Sequence, residues 1–289
     1  METTPLTAAQ RQALASLLDD PAPAVRQALL AQFTRLGPEG TGLLCELARG
    51  PNRPLAHEAS WFLRELKCSD PVADFRTFIR SLNYELESGA LLLARTVNPD
   101  LNVGACCELL DRMAARVRAL LVATATPREQ CRALNRVLFE EYGFHGNEEH
   151  YTDPRNSFLD QVLARRTGLP VSLAIVYLLV AERASVALEP VGAPGRFLVG
   201  CYLEAEPFFI DVYNSGELLS AGAVFALLRA ADLNPQVSDL APTPVREVVC
   251  RCCRNLVNHY AAERDAELAR LFASFVAEFE AVHTRHAQP

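Results

Sequence analysis

The side chains best equipped for chemistry in this chain are nine cysteines and six histidines, and their placement limits what they can do. The cysteines are Cys45, Cys68, Cys106, Cys107, Cys131, Cys201, Cys250, Cys252 and Cys253. An odd total, with no secretory leader legible in Met1-Glu-Thr-Thr-Pro-Leu-Thr, predicts reduced thiols rather than a disulfide framework. Cys250-Arg-Cys-Cys253 lacks the two-residue gap of a zinc knuckle and has no second cysteine pair after it, so core packing is favoured there over metal binding. His145-Gly-Asn-Glu-Glu-His150 with Asp153 gathers imidazoles and carboxylates, but such short loops are more often solvated turns than metal sites. No phosphate-binding Gly-rich loop or dinucleotide fingerprint is present, so neither a metal nor a cofactor is expected.

The elements that must position any site are mostly helical. Of the 289 residues, 50% are hydrophobic and 22% charged, the composition of an ordinary globular chain able to bury a sizeable core. The net charge of −7 argues against a broad nucleic-acid footprint. Arg112, Arg116 and Arg118 lie on a helix with acidic neighbours and read as a solvated face. The apolar stretches 119–125 and 169–181 fall short of the roughly 20 residues a membrane span needs. A cytoplasmic chain is expected, with no nucleic-acid or membrane partner.

Val25, Leu29, Phe33 and Leu36 form a 3.6-residue stripe between the Pro-rich start Asp19-Asp-Pro-Ala-Pro-Ala-Val25 and the stop Gly37. Leu55, Ala59, Leu63 and Leu66 repeat the stripe thirty residues on, as in a short HEAT-type array or a plain helical bundle; Trp61 falls within it and reads as core. Leu109, Leu110, Met113, Val117 and Leu120 mark another helix. Thr126-Pro127 then caps a further one through Leu134, Val137, Leu138 and Phe139. No strand signal precedes residue 145. Asp153-Pro-Arg-Asn-Ser157 leads to a helix over 158–167 with Asn156 or Ser157 as its cap and Gly168 as its stop; Pro170 starts the next. Strands are predicted at 197–203 and 207–212 around an acidic turn, with helices again from Gly216 onward.

Four ordered blocks then carry a resemblance. Tyr151-Thr-Asp-Pro-Arg-Asn-Ser-Phe-Leu159, Arg165-Arg-Thr-Gly-Leu-Pro-Val-Ser-Leu173, Val191-Gly-Ala-Pro-Gly-Arg-Phe-Leu-Val199 and Phe209-Ile-Asp-Val-Tyr-Asn-Ser-Gly216 resemble, in order, the signature blocks of the SirB-type transglutaminase-like proteins. These are bacterial proteins with relatives among eukaryotic F-box proteins. Leu134-Asn-Arg-Val-Leu-Phe-Glu-Glu-Tyr-Gly-Phe144 and Arg254-Asn-Leu-Val-Asn-His-Tyr260 look like the family too, so the likeness extends over about residues 85–280.

The resemblance implies a mostly helical α+β fold with a papain-like core: a helix whose N-terminus presents a nucleophile, packed on antiparallel strands carrying a His and then an Asp. It divides the chain into a helical-pair region 1–84, a transglutaminase-like core 85–240 and a tetratricopeptide-like helical hairpin 241–289, a single hairpin expected to pack on the core. Such a site works because a helix N-terminus stabilises a thiolate, a His removes its proton and a carboxylate orients the His. Active transglutaminase-like enzymes carry Gly-x-Cys-x-x-x-Ala there. The matching span is Gly168-Leu-Pro170-Val-Ser-Leu-Ala174, so Pro170 fills the nucleophile slot, as looks usual for the SirB-type branch. Where most members read Pro-Gly-His-Phe-Leu, this chain has Arg196, a guanidinium that stays protonated and cannot act as a base. Asp211 keeps the aspartate slot.

None of the histidines (His57, His145, His150, His259, His283, His286) lies within the four blocks. Ser172 is the remaining nucleophile candidate, with local hydrogen bonding in the first helical turn as the favoured reading. Asp211 reads as a turn cap or as the partner of Arg196, an ion pair or an anion-binding spot. The expectation is a module that has lost catalysis and binds another protein or a ligand through Asn156, Ser157, Pro170, Arg196 and Asp211. The alternative is a hydrolase or transamidase using Ser172 with Asp211 and a base not visible in the pattern. A third reading makes the N-terminal helices the working surface of a scaffold.

Overall fold

The computed structural model describes residues 6–287 apart from 21, 49 and 67–69. Pro21, Cys68 and the first five residues, which entered the readings above, lie outside the described residues. The chain divides into two compact units, Met1–Asp74 and Phe75–Pro289.

The first unit contains α1 (Ala8–Leu17), α2 (Pro23–Leu36), α3 (Pro38–Ala48) and α4 (Arg53–Glu65). Thr7 opens α1 with a capping box to Gln10, and Asn52 caps α4, so the side chains before each start satisfy N–H groups that the helix leaves free. Gly37 ends α2 at φ +55°, a conformation suited to glycine. The inward stripes meet in one core of Leu18, Leu29, Phe33, Leu43, Leu44, Ala59, Phe62 and Leu63. Trp61 is half-buried at the edge of this core, with Arg26 4.6 Å from its ring centroid.

The second unit begins within α5 (Pro71–Ser81) and continues through α6 (Leu86–Arg95), α7 (Val103–Leu120) and α8 (Pro127–Asn135), which runs on as a π-helical turn Arg136–Glu141. Thr126 and Glu129 close a capping box at the start of α8, as Thr126-Pro127 predicts. Two short parallel strands follow, β1 (His145–Gly146) and β2 (Thr167–Gly168), with a 3-10 turn Pro154–Ser157 and α9 (Leu159–Arg165) between them. Next comes α10 (Pro170–Arg183), buried without interruption from Val171 to Ala181, as its all-round apolar sequence requires. α7, α9 and α6 pack around it.

Four antiparallel strands form the sheet in chain order: β3 (Glu189–Val191), β4 (Leu198–Cys201), β5 (Phe208–Asp211) and β6 (Glu217–Ser220). Val199 pairs with Pro190 and Ile210 across the sheet. Val191, Leu198, Phe209 and Leu219 pack on Val224 and Leu228 of α11 (Ala221–Ala230), while β3 and β4 also contact α10, so helices cover the sheet on two sides. The hairpin α12 (Val245–Ala262) and α13 (Ala266–Ala287) closes the unit. Its joint is the stacked pair Tyr260 and Phe272, ring centroids 5.5 Å apart, and Phe275 meets Phe75 edge-on at 4.8 Å. The whole is a mostly helical α+β fold with a small antiparallel sheet. No helix among the described residues is long and apolar enough to cross a membrane.

Three local expectations need correction. Neither Asn156 nor Ser157 caps α9: both belong to the preceding 3-10 turn, capped by Asp153, and the N-cap residue of α9 is Phe158, without a side-chain cap. Gly168 does not stop α9. Arg166, in the left-handed region at φ +60°, ends it two residues earlier, and Gly168 instead pairs with Gly146 in the parallel ladder. A Cβ on Gly168 would come 2.7 Å from Ser172 Oγ, so the position needs glycine for space rather than for its φ. Finally, β6 precedes the helix expected from Gly216 onward.

Candidate functional site

Three local devices bring the family positions together. Pro170 is the first residue of α10, where its missing N–H costs nothing and its fixed φ suits the helix start. Arg196 follows a tight turn closed by Arg196 N–H donating to Ala193 O at 3.1 Å, with Pro194 and then Gly195 (φ +69°) inside it. That is the order a type II turn requires. Asp211 is the last residue of β5 and caps the 3-10 turn Val212–Asn214.

Arg196 Nη1 donates to Asp211 Oδ2 at 2.7 Å. The aspartate side chain is 3% exposed and that of Arg196 35%, so the carboxylate lies inside and the cation at the opening. Asp211 Oδ2 also accepts from Asn214 Nδ2 at 2.9 Å, and Oδ1 from the N–H groups of Tyr213 and Asn214 at 3.2 and 3.3 Å. Both sequence readings of Asp211 therefore describe it: a turn cap and the partner of Arg196.

Ser172 points elsewhere. Its Oγ accepts from Leu169 N–H at 2.9 Å and donates to Asn156 O at 2.5 Å, with Leu169 O at 3.2 Å. All three partners are backbone groups, and none can remove the hydroxyl proton. Ser172 lines a separate void of about 10 Å³ together with Ser157 and Cys252. Asn156, fully buried, donates to His150 O at 2.8 Å and accepts from Asn147 Nδ2 at 3.0 Å, which ties the loop to itself, while its carbonyl takes the Ser172 hydroxyl at the start of α10. Ser157 Oγ is buried with no hydrogen-bond partner among the described residues.

Pro170, Arg196 and Asp211 line one cleft of about 390 Å³, walled further by Tyr151, Phe197 and Leu233. A side chamber of about 50 Å³ shares Pro170 and Arg196 with it and adds Arg251 and Asn255 from α12. Arg251 Nη1 donates to Ala193 O at 3.3 Å and its guanidinium lies 5.4 Å from the Phe197 ring centroid. Burial lowers the pKa of Arg251 from the ordinary arginine value. Tyr151, which borders both spaces, sits edge-on to Tyr213 and to His259, each at 6.3 Å between ring centroids. His259 is 6% exposed, and its Nδ1 has no partner among the described residues; burial lowers its pKa and Asp153 opposes that shift.

Sequence reasoning missed Arg251 and Asn255. Asn255 lies inside a family-like block and Arg251 just before it, but only the docking of α12 brings them to the cleft. Elsewhere, Cys250, Cys252 and Cys253 are buried in α12, and burial pushes the first two thiols up to about 11 and about 12. His145 Nδ1 lies 3.0 Å from Gly143 O, while Asp153 pairs with Arg155 and Arg165 at 2.9 and 3.1 Å. Arg116 forms a two-pronged bond to Glu141 at 2.8 and 2.9 Å.

A family model for the transglutaminase-like superfamily matches residues 105–254, just over half of the chain. The chain belongs to that superfamily, in its SirB-type branch. It is 36% identical over 183 residues to a UPF0162 protein of Xylella fastidiosa, covering 61% of this chain and 65% of that one. A UPF0162 protein of Vibrio cholerae is 33% identical over 145 residues, 50% of this chain and 53% of the relative. F-box only protein 21 of Mus musculus is 40% identical over 82 residues, 28% of this chain and 13% of that protein. The chain thus spans a little under two thirds of the Xylella relative and about half of the Vibrio one. No solved structure matches it.

Proposed function

We propose that this transglutaminase-like chain has lost covalent catalysis and acts as a regulatory module that binds a protein or ligand in the cleft between α10 and the sheet. One observation carries the reading: the two positions where the family places its nucleophile and base hold Pro170 and Arg196, and Arg196 is committed to Asp211 at 2.7 Å. Proline has no group that attacks a carbonyl, and a guanidinium stays protonated at ordinary pH. Ser172 offers no replacement, because its hydroxyl is buried and bonded to backbone. Asn156 and Ser157 line neither the cleft nor the side chamber and act in this reading as buried support, Asn156 O accepting from Ser172 Oγ in the first turn of α10, while Pro170, Arg196 and Asp211 form the binding wall.

The test is a screen of the purified protein against transamidation, deamidation and peptidase substrates. No turnover above a buffer blank is expected. Turnover abolished by Ser172→Ala would overturn the proposal.

A further inference from the structure

The charge balance of the side chamber is uneven. Arg196 gives Nη1 to Asp211, and that pair is electrically neutral. Arg251 forms no ion pair among the described residues: its one hydrogen bond goes to Ala193 O, and its other close neighbour is the Phe197 ring. Glu247, one helical turn earlier, is engaged by Arg254 and by Arg246. A half-buried guanidinium thus faces a polar chamber whose lining holds no carboxylate, beside the remaining donors of Arg196 and the amide of Asn255. The Arg251 nitrogens that make no bond within the described residues could give an anion in the chamber charge-assisted hydrogen bonds.

The size and charge of the chamber select the anion. One cation outside any ion pair among the described residues balances a single negative charge. A planar carboxylate matches the guanidinium fork, which it accepts through two oxygens. The chamber opens into the larger cleft, where Pro194, Leu228 and Leu233 offer an apolar wall. We propose that the chamber binds a carboxylate between Arg251 and Arg196, with the apolar body that bears it lying along the cleft. A small organic acid and the free C-terminus of a peptide share this chemistry. The inference rests on the cleft's being a binding site.

The experiment is isothermal titration of the full chain with N-acetyl-leucine, N-acetyl-leucinamide, the acetylated tripeptide Ala-Ala-Leu as acid and as amide, and inorganic phosphate. Both acids, or the peptide acid alone, are expected to bind, and the corresponding amides to bind about tenfold more weakly or worse. Binding of the short acid as tightly as the peptide acid identifies a small-acid site; tighter binding of the peptide acid identifies a C-terminus reader. Arg251→Gln should weaken the acids about tenfold or more, and Arg251→Lys, which keeps charge but not the fork, should recover part of that loss. If Arg251→Gln disturbs the fold, judged by the near-ultraviolet circular dichroism of the tyrosines, Asn255→Leu takes its place, removing the chamber's amide donor at nearly constant shape and without removing a charge. Equal binding of acid and amide, phosphate binding as tight as the acids, no binding of any probe at millimolar concentration, or acid affinity unchanged in a folded chamber variant would overturn the inference. These failures leave the absence of catalysis untouched, whereas turnover in the substrate screen would defeat the proposed function and leave the acid-over-amide preference measurable.

Discussion

Removing the two members of the Arg196–Asp211 pair should have unequal effects, and the inequality follows from which of them is buried. Breaking a fully buried ion pair by deleting one partner costs about 3–5 kcal/mol. In Arg196→Met the remaining carboxylate keeps three donors: the N–H groups of Tyr213 and Asn214 and the Asn214 amide. Arg196 is itself 35% exposed, so water takes over part of its role. The cost therefore falls to about 1–2 kcal/mol. Asp211→Ala strands those donors, removes the cap of the 3-10 turn and leaves the guanidinium unpaired at the cleft mouth, together about 3 kcal/mol. The double variant should show a coupling of about 1 kcal/mol, because the two single changes delete the same bond. Urea unfolding is the assay, and the choice of signal matters. The single tryptophan, Trp61, belongs to the first unit, whereas all seven tyrosines lie in the second, which contains the pair. Tyrosine near-ultraviolet circular dichroism therefore follows the right unit and Trp61 fluorescence serves as an internal control. An Arg196→Met variant less stable than Asp211→Ala, or a coupling indistinguishable from zero, would refute the reasoning.

Two further outcomes are expected. The folded-state pKa of His259 is lowered below its ordinary 6.5, so the unfolded chain takes up the proton first. Its contribution to stability is present above pH 6.5, is lost as the pH falls below that value, and levels off under the folded pKa; the difference between wild-type and His259→Gln stability curves should show this and would be flat across that range if the ring were solvated. In the second, Pro170→Cys combined with Arg196→His would restore the family's groups. Its new thiol should react with iodoacetamide at neutral pH about tenfold faster than in Pro170→Cys combined with Arg196→Leu, which has neither cation nor base at that slot, as a neighbouring imidazole raises the thiolate fraction. Peptide mapping separates it from the native cysteines, and equal rates in the two variants would mean that the two slots do not face each other.

What was legible in the sequence follows the range of the forces involved. The continuous apolar run from Val171 to Ala181 identifies α10 because a helix buried on all sides needs no polar face. Thr126-Pro127 locates the start of α8, and the aromatic and β-branched runs locate β4 and β5, because caps and strand patterns are local. The strands β3 and β6 were hidden. Glu189-Pro-Val191 is too short to alternate and contains a proline, and β6 exists through pairing with β5. Asn156 misled for a related reason: asparagine before a helix reads as a cap, but here the pull of distant backbone at His150 and of Asn147 wins. Arg251 reaches the cleft from 58 residues beyond Ala193, a juxtaposition no linear spacing encodes.

The substitutions at the cleft also make sense as a set. A thiolate at the first position of α10 would need a cation or a base beside it; proline there needs neither, and its missing N–H removes one of the donors that a helix start leaves free. Ser172 satisfies another, Leu169 N–H, and in doing so fixes its own hydroxyl against Asn156 O. An imidazole opposite Asp211 would lose its charge near neutral pH, whereas a guanidinium does not, and Arg196 pairs with the buried carboxylate at 2.7 Å. Each change replaces a group that must cycle between protonation states with one that does not. On the proposed reading such a wall is preorganised, which suits a surface that holds a ligand better than one that must take up and return a proton during turnover.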